Sequence, residues 1–160
     1  MNALRVLAVA ATSRRIGYVF LIGNRLMEWR MAGKPARSRI RAAGALQELI
    51  NTFHPNVLIT EKLKPSDRKG LRARRITEAL QRTAAENYIL DVSVRRHSGY
   101  ANKYEEIDVL VQNYPAIKPW APRKRKHYEN EPPAMVLFDA LAIADRVLQN
   151  PTTTLAAKMN

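Results

Sequence analysis

Cysteine is absent from the 160 residues, which excludes disulfide bonds and thiolate metal sites. No apolar run approaches the roughly 20 residues that a membrane-spanning helix needs. The apolar start, residues 1–11, is interrupted by Arg5 and lacks the long apolar segment of a secretory signal peptide. There is also no basic amphipathic helix with a large aromatic face, the pattern typical of proteins that lie on membranes. We therefore expect a soluble cytoplasmic protein.

Acidic residues are scarce: 14 Asp and Glu stand against 27 Lys and Arg, a net charge of +13. Such an excess favours a polyanionic partner, most often nucleic acid, although a merely soluble basic protein is the alternative. The basic residues are clustered, which favours a partner. The predicted nucleic-acid contacts are Arg14, Arg15, Arg68, Lys69, Arg72, Arg74, Arg75, Arg123, Lys124, Arg125 and Lys126. Further arginines, at 37, 39 and 41, begin a helical pattern.

The first 31 residues predict three strands in succession. Residues 4–11 form a nearly continuous apolar run, typical of a strand covered on both faces. A second apolar segment covers residues 17–22, and Gly23–Asn24 favours a tight turn. Alternation with polar residues then predicts a half-exposed third strand through Met27, Trp29 and Met31. The short connections predict an antiparallel meander.

Helices and strands alternate in the rest of the chain. A first helix is predicted with one apolar face of Ile40, Ala43, Leu46, Leu49, Ile50 and Phe53. A buried strand at 57–60 leads into Glu61, a second helix covers 71–86, and a fifth strand covers 90–94. A third helix carries Tyr104, Ile107, Val111 and Tyr114 on one face. We predict a loop over 115–133, with Pro132–Pro133 opening a last helix that ends near Gln149.

The predicted order β-β-β-α-β-α-β-α combines the meander with parallel strands joined by right-handed crossovers. It predicts an α/β fold, a mixed five-stranded sheet with helices on both faces. We expect one domain over residues 1–150 and a disordered tail over 151–160.

Three segments lie on these elements in a particular order: AVAATSRRIGYVFL (8–21), VLITE (57–61) and FDALAIA (138–144). They resemble, in the same order, the motifs of the RuvC-type Holliday-junction resolvases, members of the ribonuclease H-like superfamily. The resemblance implies a ribonuclease H-like fold, a homodimer, and a nucleoid-associated protein that binds branched DNA in recombination. RNA is the alternative partner.

Two carboxylates stand where metal-dependent hydrolysis would need them. Glu61 ends a buried strand, and Asp139 is the one charge in an otherwise apolar stretch of helix. Two divalent ions, Mg²⁺ or Mn²⁺, would take such carboxylate ligands. We therefore predict Glu61 and Asp139 as catalytic residues and metal ligands, with Glu131 as a further ligand. Alternatively, Glu61 is a solvent-exposed strand end, and the helix dipole stabilises Asp139; a buried Asp139 requires a cation, an arginine or water beside it.

The sequence departs from the family pattern at two of the four carboxylate positions. The first-strand aspartate of the family falls at Ala10, and the other acidic position of the last helix falls at Val136. A methyl group binds no metal ion, so we expect a catalytically impaired protein of the nuclease lineage that binds branched or structured DNA. One alternative is an active metal-dependent endonuclease that uses Glu61 and Asp139 with another ligand, for which His97 and His127 are candidates. The other is a basic adaptor in a nucleoprotein complex.

Overall fold

The computed structural model describes residues 3–67, 69–96, 99–124 and 131–149. Several predicted positions lie outside these residues. They are Arg68, His97, Arg125, Lys126, His127 and the tail 151–160.

One five-stranded sheet organises the chain. Its strands are β1 (Arg5–Ala11), β2 (Ile16–Ile22), β3 (Arg25–Ala32), β4 (Val57–Glu61) and β5 (Leu90–Val94). They lie in the order β3-β2-β1-β4-β5. The meander β1-β2-β3 is antiparallel, whereas β4 runs parallel to both β1 and β5. The predicted mixed sheet is confirmed.

The described residues also form four α-helices and two short 3₁₀ helices. The α-helices are α1 (Arg39–Phe53), α2 (Gly70–Glu86), α3 (Lys103–Asn113) and α4 (Met135–Gln149). The 3₁₀ helices cover Lys34–Arg37 and Pro115–Trp120. The prediction of a loop from residue 115 is therefore wrong for its first part, because Ile117 is fully buried and fixes the Pro115–Trp120 turn against the core.

Helices cover both faces of the sheet. Alternate residues of β1 point to opposite sides: Leu7 and Val9 pack with α1 and α2, whereas Ala8 and Ala10 pack in a second core with α3 and α4. Among the helices of the described residues, none has both the length and the apolar character needed to cross a bilayer.

The predicted apolar faces of α1 and α3 pack against the two cores, with corrections at single positions. In α1, Ile40 is 85% exposed, whereas Ala42, which was not predicted, is buried. The small side chain of Ala42 allows the helix to approach the sheet. In α3, Glu106 is buried together with Ile107 and Leu110, so a carboxylate lies on the inward face.

The start of α4 crosses β2 at Gly17. A Cβ atom built on Gly17 would lie 2.8 Å from both the Cγ1 atom and the carbonyl oxygen of Val136. Such distances are too short for any side chain, so glycine is required for this close approach. The contact fixes the first turn of α4, and therefore Asp139, over the end of β1.

Candidate functional site

Asp139 is a buried carboxylate on α4, with only 1% of its surface exposed. Its Oδ2 atom lies 3.2 Å from the Nζ atom of Lys69, and its Oδ1 atom lies 3.7 Å from that of Lys103. The guanidinium group of Arg96 forms a third ion pair with Oδ1. The expectation that a buried Asp139 has a cation or an arginine beside it is confirmed.

Glu61 ends β4 and shares one of these cations with Asp139. The Nζ atom of Lys69 lies 2.8 Å from the Oε1 atom of Glu61 as well as 3.2 Å from Asp139. The two carboxylates therefore converge on a single ammonium group. This proximity follows from the parallel β1–β4 pair, over which the first turns of α4 lie. The catalytic roles of the two residues stay predictions.

Three residues of the site were not predicted from the sequence: Arg96, Lys103 and Glu106. The Nε atom of Arg96 donates a hydrogen bond of 2.6 Å to the buried Glu106, and the Nζ atom of Lys103 donates one of 2.9 Å to Glu131. Two signals were available in the sequence. Arg96 follows a strand that ends at the same sheet edge as β4, and Glu106 stands four residues before Leu110 on the apolar face of α3.

These side chains form one connected set, which we call the central network. It contains the carboxylates Glu61, Glu106, Glu131 and Asp139 and the cations Lys69, Arg96 and Lys103. Partial burial lowers the pKa of Lys103, the nearby charges of Arg96 and Lys69 lower it further, and the hydrogen bond to Glu131 opposes the shift. The network is thus crowded with positive as well as negative groups.

A cleft of about 470 Å³ opens beside the network. Its lining residues are Thr12, Ser13, Lys69, Asn102, Lys103, Tyr104, Glu131 and Met135. A smaller hollow shares the turn between β1 and β2 with this cleft and adds Arg14 and Arg15. The Thr12 hydroxyl accepts hydrogen bonds from the backbone N–H groups of Arg14 and Arg15, at 3.2 and 3.0 Å, which orders the turn.

Ala10 is 1% exposed and belongs to the core that α3 and α4 cover. The last paired residues of β1 and β4 are Val9 and Thr60, and Ala10 and Glu61 each follow by one residue. The position where the resemblance expects an aspartate is therefore beside Glu61, on the side of the sheet that α4 covers. Here it contributes no polar group.

No protein-family model and no curated protein matches the sequence. Solved structures do match. Thermus thermophilus RuvC in complex with a Holliday-junction substrate superposes with a TM-score of 0.68 at 16% identity, over 97% of each chain. The fowlpox virus resolvase in complex with Holliday-junction DNA gives a TM-score of 0.61 at 10% identity, over 92% of this chain and 99% of its own. The yeast mitochondrial Holliday-junction resolvase Ydc2 gives 0.60 at 14% identity, over 98% of this chain and 84% of its own. The chain has the RuvC-type fold.

The predicted resemblance to RuvC-type resolvases is thereby confirmed for the fold.

On this RuvC-type fold the basic residues of α2 do not form one surface. Arg72 donates hydrogen bonds of 3.2–3.3 Å to the carbonyl oxygens of Ala36 and Arg37. Arg74 is partly buried and lines a hollow with Glu61, whereas Arg75 lies in the groove between α1 and α2. Arg14, Arg72, Arg75, Arg123 and Lys124 are exposed, as a role in phosphate binding requires.

The residues present do not fit a pair of divalent ions. Among the described residues, no group of three or more His, Asp or Glu is arranged to hold a metal ion. The ammonium group of Lys69 stands between Glu61 and Asp139, where a cation bridging the two carboxylates would lie. Ala10 supplies no ligand. This version of the RuvC-type fold thus carries protein cations at the sheet edge where the sequence predicted metal ligands.

Proposed function

We propose that this chain binds branched or otherwise structured DNA through the cleft beside the central network, and that it does not cut this DNA by metal-dependent hydrolysis. The observation that carries the proposal is the position of Lys69. It places an ammonium group between the two carboxylates of a RuvC-type fold, at the edge of a cleft lined by further cations.

The distribution of charge supports a DNA partner. The chain carries a net charge of +13, and Lys69, Lys103, Arg14 and Arg15 line the cleft and its adjoining hollow. Such residues neutralise phosphates and release counterions, a contribution independent of base sequence. Branched DNA is the preferred form in this proposal because proteins of the same fold have been solved with Holliday junctions.

The proposed absence of DNA cleavage rests on two carboxylates that the site lacks. Ala10 and Val136 are buried apolar residues, at 1% and 2% exposure, where the resemblance expects acids. Two-metal hydrolysis needs both ions held close together by carboxylates. Glu61 and Asp139 remain, but protein cations already neutralise both of them. An active endonuclease and a basic adaptor are the other outcomes of the test, and homodimer formation stays a prediction.

The test compares a labelled four-way junction with a linear duplex of equal length, titrated with the chain across a series of salt concentrations. We expect tighter binding to the junction and no cleavage with Mg²⁺ or Mn²⁺. Replacing both Arg14 and Arg15 by Gln should flatten the dependence of log K on log salt by up to about 2 units. The matched control, Arg25→Gln with Arg41→Gln, removes two exposed arginines outside the cleft and should leave this salt dependence unchanged.

The other possible results distinguish the alternatives to this proposal. Equal affinity for the junction and the duplex would remove the preference for branched DNA. Cleavage of the junction would favour the active endonuclease. Absence of binding to either DNA would favour the adaptor.

A further inference from the structure

We propose that Lys69 and Lys103 take the place of divalent ions in the central network. In this proposal they neutralise Glu61 and Asp139 and also offer their ammonium groups to a DNA phosphodiester in the cleft. The chain therefore binds DNA without Mg²⁺ or Mn²⁺. The phosphodiester part of this inference rests on the proposed function, whereas the exclusion of divalent ions stands on the network alone.

Lys69 occupies the space between the carboxylates of Glu61 and Asp139. A divalent ion that bridges Glu61 and Asp139 would have to lie about 2.0–2.6 Å from an oxygen of each. The Nζ atom of Lys69 is already 2.8 and 3.2 Å from these oxygens, and its side chain is only 15% exposed. The ion and the ammonium group cannot both occupy this space. Binding of the ion would require Lys69 to leave.

Among the described residues, the central network sets four carboxylates against three cations, a net charge of −1. Two divalent ions would leave it with a large positive excess. Arg96 cannot move away to reduce this positive charge, because its side chain is held between Glu106 and Asp139 and is 13% exposed. The network therefore disfavours divalent ions even where space could be made.

Lys69 and Lys103 line a cleft that an anionic ligand can enter. Lys103 is 42% exposed, and Lys69 and Lys103 both line the cleft together with Thr12 and Ser13. The partner of Lys103 on the outer side is Glu131, which is also 42% exposed. A phosphate oxygen entering the cleft can replace this solvated carboxylate as the acceptor for Lys103. The cleft thus suits an anionic phosphodiester.

The experiment measures Mn²⁺ binding by electron paramagnetic resonance, thermal unfolding with and without Mn²⁺, and junction affinity in EDTA or Mg²⁺ at equal ionic strength. For the unaltered chain we expect no stoichiometric Mn²⁺ binding and no thermal shift. Junction binding should persist in EDTA, since phosphate contacts by lysine need no divalent ion.

Two variants give the comparison. Lys69→Met keeps the length of the side chain and removes the ammonium group. It should unfold at a lower temperature in EDTA and regain stability with Mn²⁺, because a ligand that binds only the folded state stabilises it. Lys62→Met is the matched control: Lys62 is an exposed neighbour of Glu61 in sequence, and its loss should create no response to Mn²⁺.

Three results would overturn the inference. The first is stoichiometric Mn²⁺ binding to the unaltered chain that Asp139→Asn abolishes. The second is junction binding that requires Mg²⁺. The third is a Lys69→Met variant that neither loses stability nor gains Mn²⁺ affinity. If Lys69→Met fails to fold, Lys69→Gln takes its place, since it also removes the ammonium group. Absence of all DNA binding would instead contradict the proposed function, and the Mn²⁺ measurements would remain decisive for the lysines.

Discussion

Replacing Arg96 by Met should destabilise the protein strongly, because it leaves buried negative charge without its cation. Arg96 contacts Glu106 and Asp139, which are 5% and 1% exposed. Asp139 keeps Lys69 at 3.2 Å, so the greater loss falls on Glu106. Removing one partner of a buried ion pair costs about 3–5 kcal/mol. For a chain of this length, that cost lowers the melting temperature by about 6–20 °C.

The assay is urea denaturation followed by circular dichroism at neutral pH. Arg95→Met is the matched control, since Arg95 is the exposed neighbour, and it should change stability little. Adding Glu106→Gln to Arg96→Met should recover part of the loss. A loss below about 1 kcal/mol for Arg96→Met, the range of solvated surface pairs, would refute the argument that the network is buried and coupled.

Three further substitutions test individual contacts outside the central network. Gly17→Ala should lower the free energy of unfolding by about 1–3 kcal/mol in a denaturation experiment, because the added methyl group meets Val136 at 2.8 Å. An unchanged stability would mean that α4 can shift to make room for it. Arg72→Met should destabilise the chain by about 0.5–1.5 kcal/mol through its lost hydrogen bonds to carbonyl groups. It should leave the salt dependence of DNA binding unchanged, and a flatter slope would reassign Arg72 to phosphate contact. Burial and the hydrogen bond to Asp145 raise the pKa of Tyr114 above its usual 10.0, so the stability it contributes is present below pH 10 and is lost as the pH rises further. Tyr114→Phe should make this alkaline loss shallower in a stability–pH profile, and an identical profile would contradict the assignment.

Much of the fold was predictable because strand and helix periods are local properties of the sequence. The apolar runs of β1 and β4 indicated strands covered on both faces, and the chain order then fixed which strands lie side by side. The convergence of Glu61 and Asp139 followed from that topology. The start of α1 was predicted wrongly at two positions: the bulky Ile40 was placed on the apolar face but is exposed, and the small Ala42 was left out of that face but is buried.

The ion pairs of the site were beyond what periodicity can predict. Lys69 and Arg96 both lie just outside regular elements, one before α2 and one after β5. Their side chains reach Asp139 because of the conformation of these loops, which the helix and strand periodicity of the sequence does not predict. The charge pattern had favoured nucleic acid as the partner of Lys69, whereas the structure gives it two carboxylates inside the protein. A basic cluster near carboxylates therefore has two interpretations that only coordinates distinguish.

The contribution of Ala10 can be separated from that of Lys69 by adding a carboxylate. Ala10→Asp places an acid beside Glu61, but Lys69 is near enough to become its partner. We therefore expect the single variant to gain little Mn²⁺ affinity. Ala10→Asp combined with Lys69→Met presents three carboxylates without the competing ammonium group, which suits a hard cation that prefers oxygen ligands.

Paramagnetic resonance should accordingly show stoichiometric Mn²⁺ binding to the double variant, and Mn²⁺ should raise its melting temperature more than that of Lys69→Met alone. Ala10→Asn with Lys69→Met is the control, because it matches the added side chain in size but not in charge. Should Ala10→Asp alone bind Mn²⁺ as well as the double variant does, Lys69 does not hold the cation position, and the missing first-strand carboxylate alone accounts for the absence of a metal site.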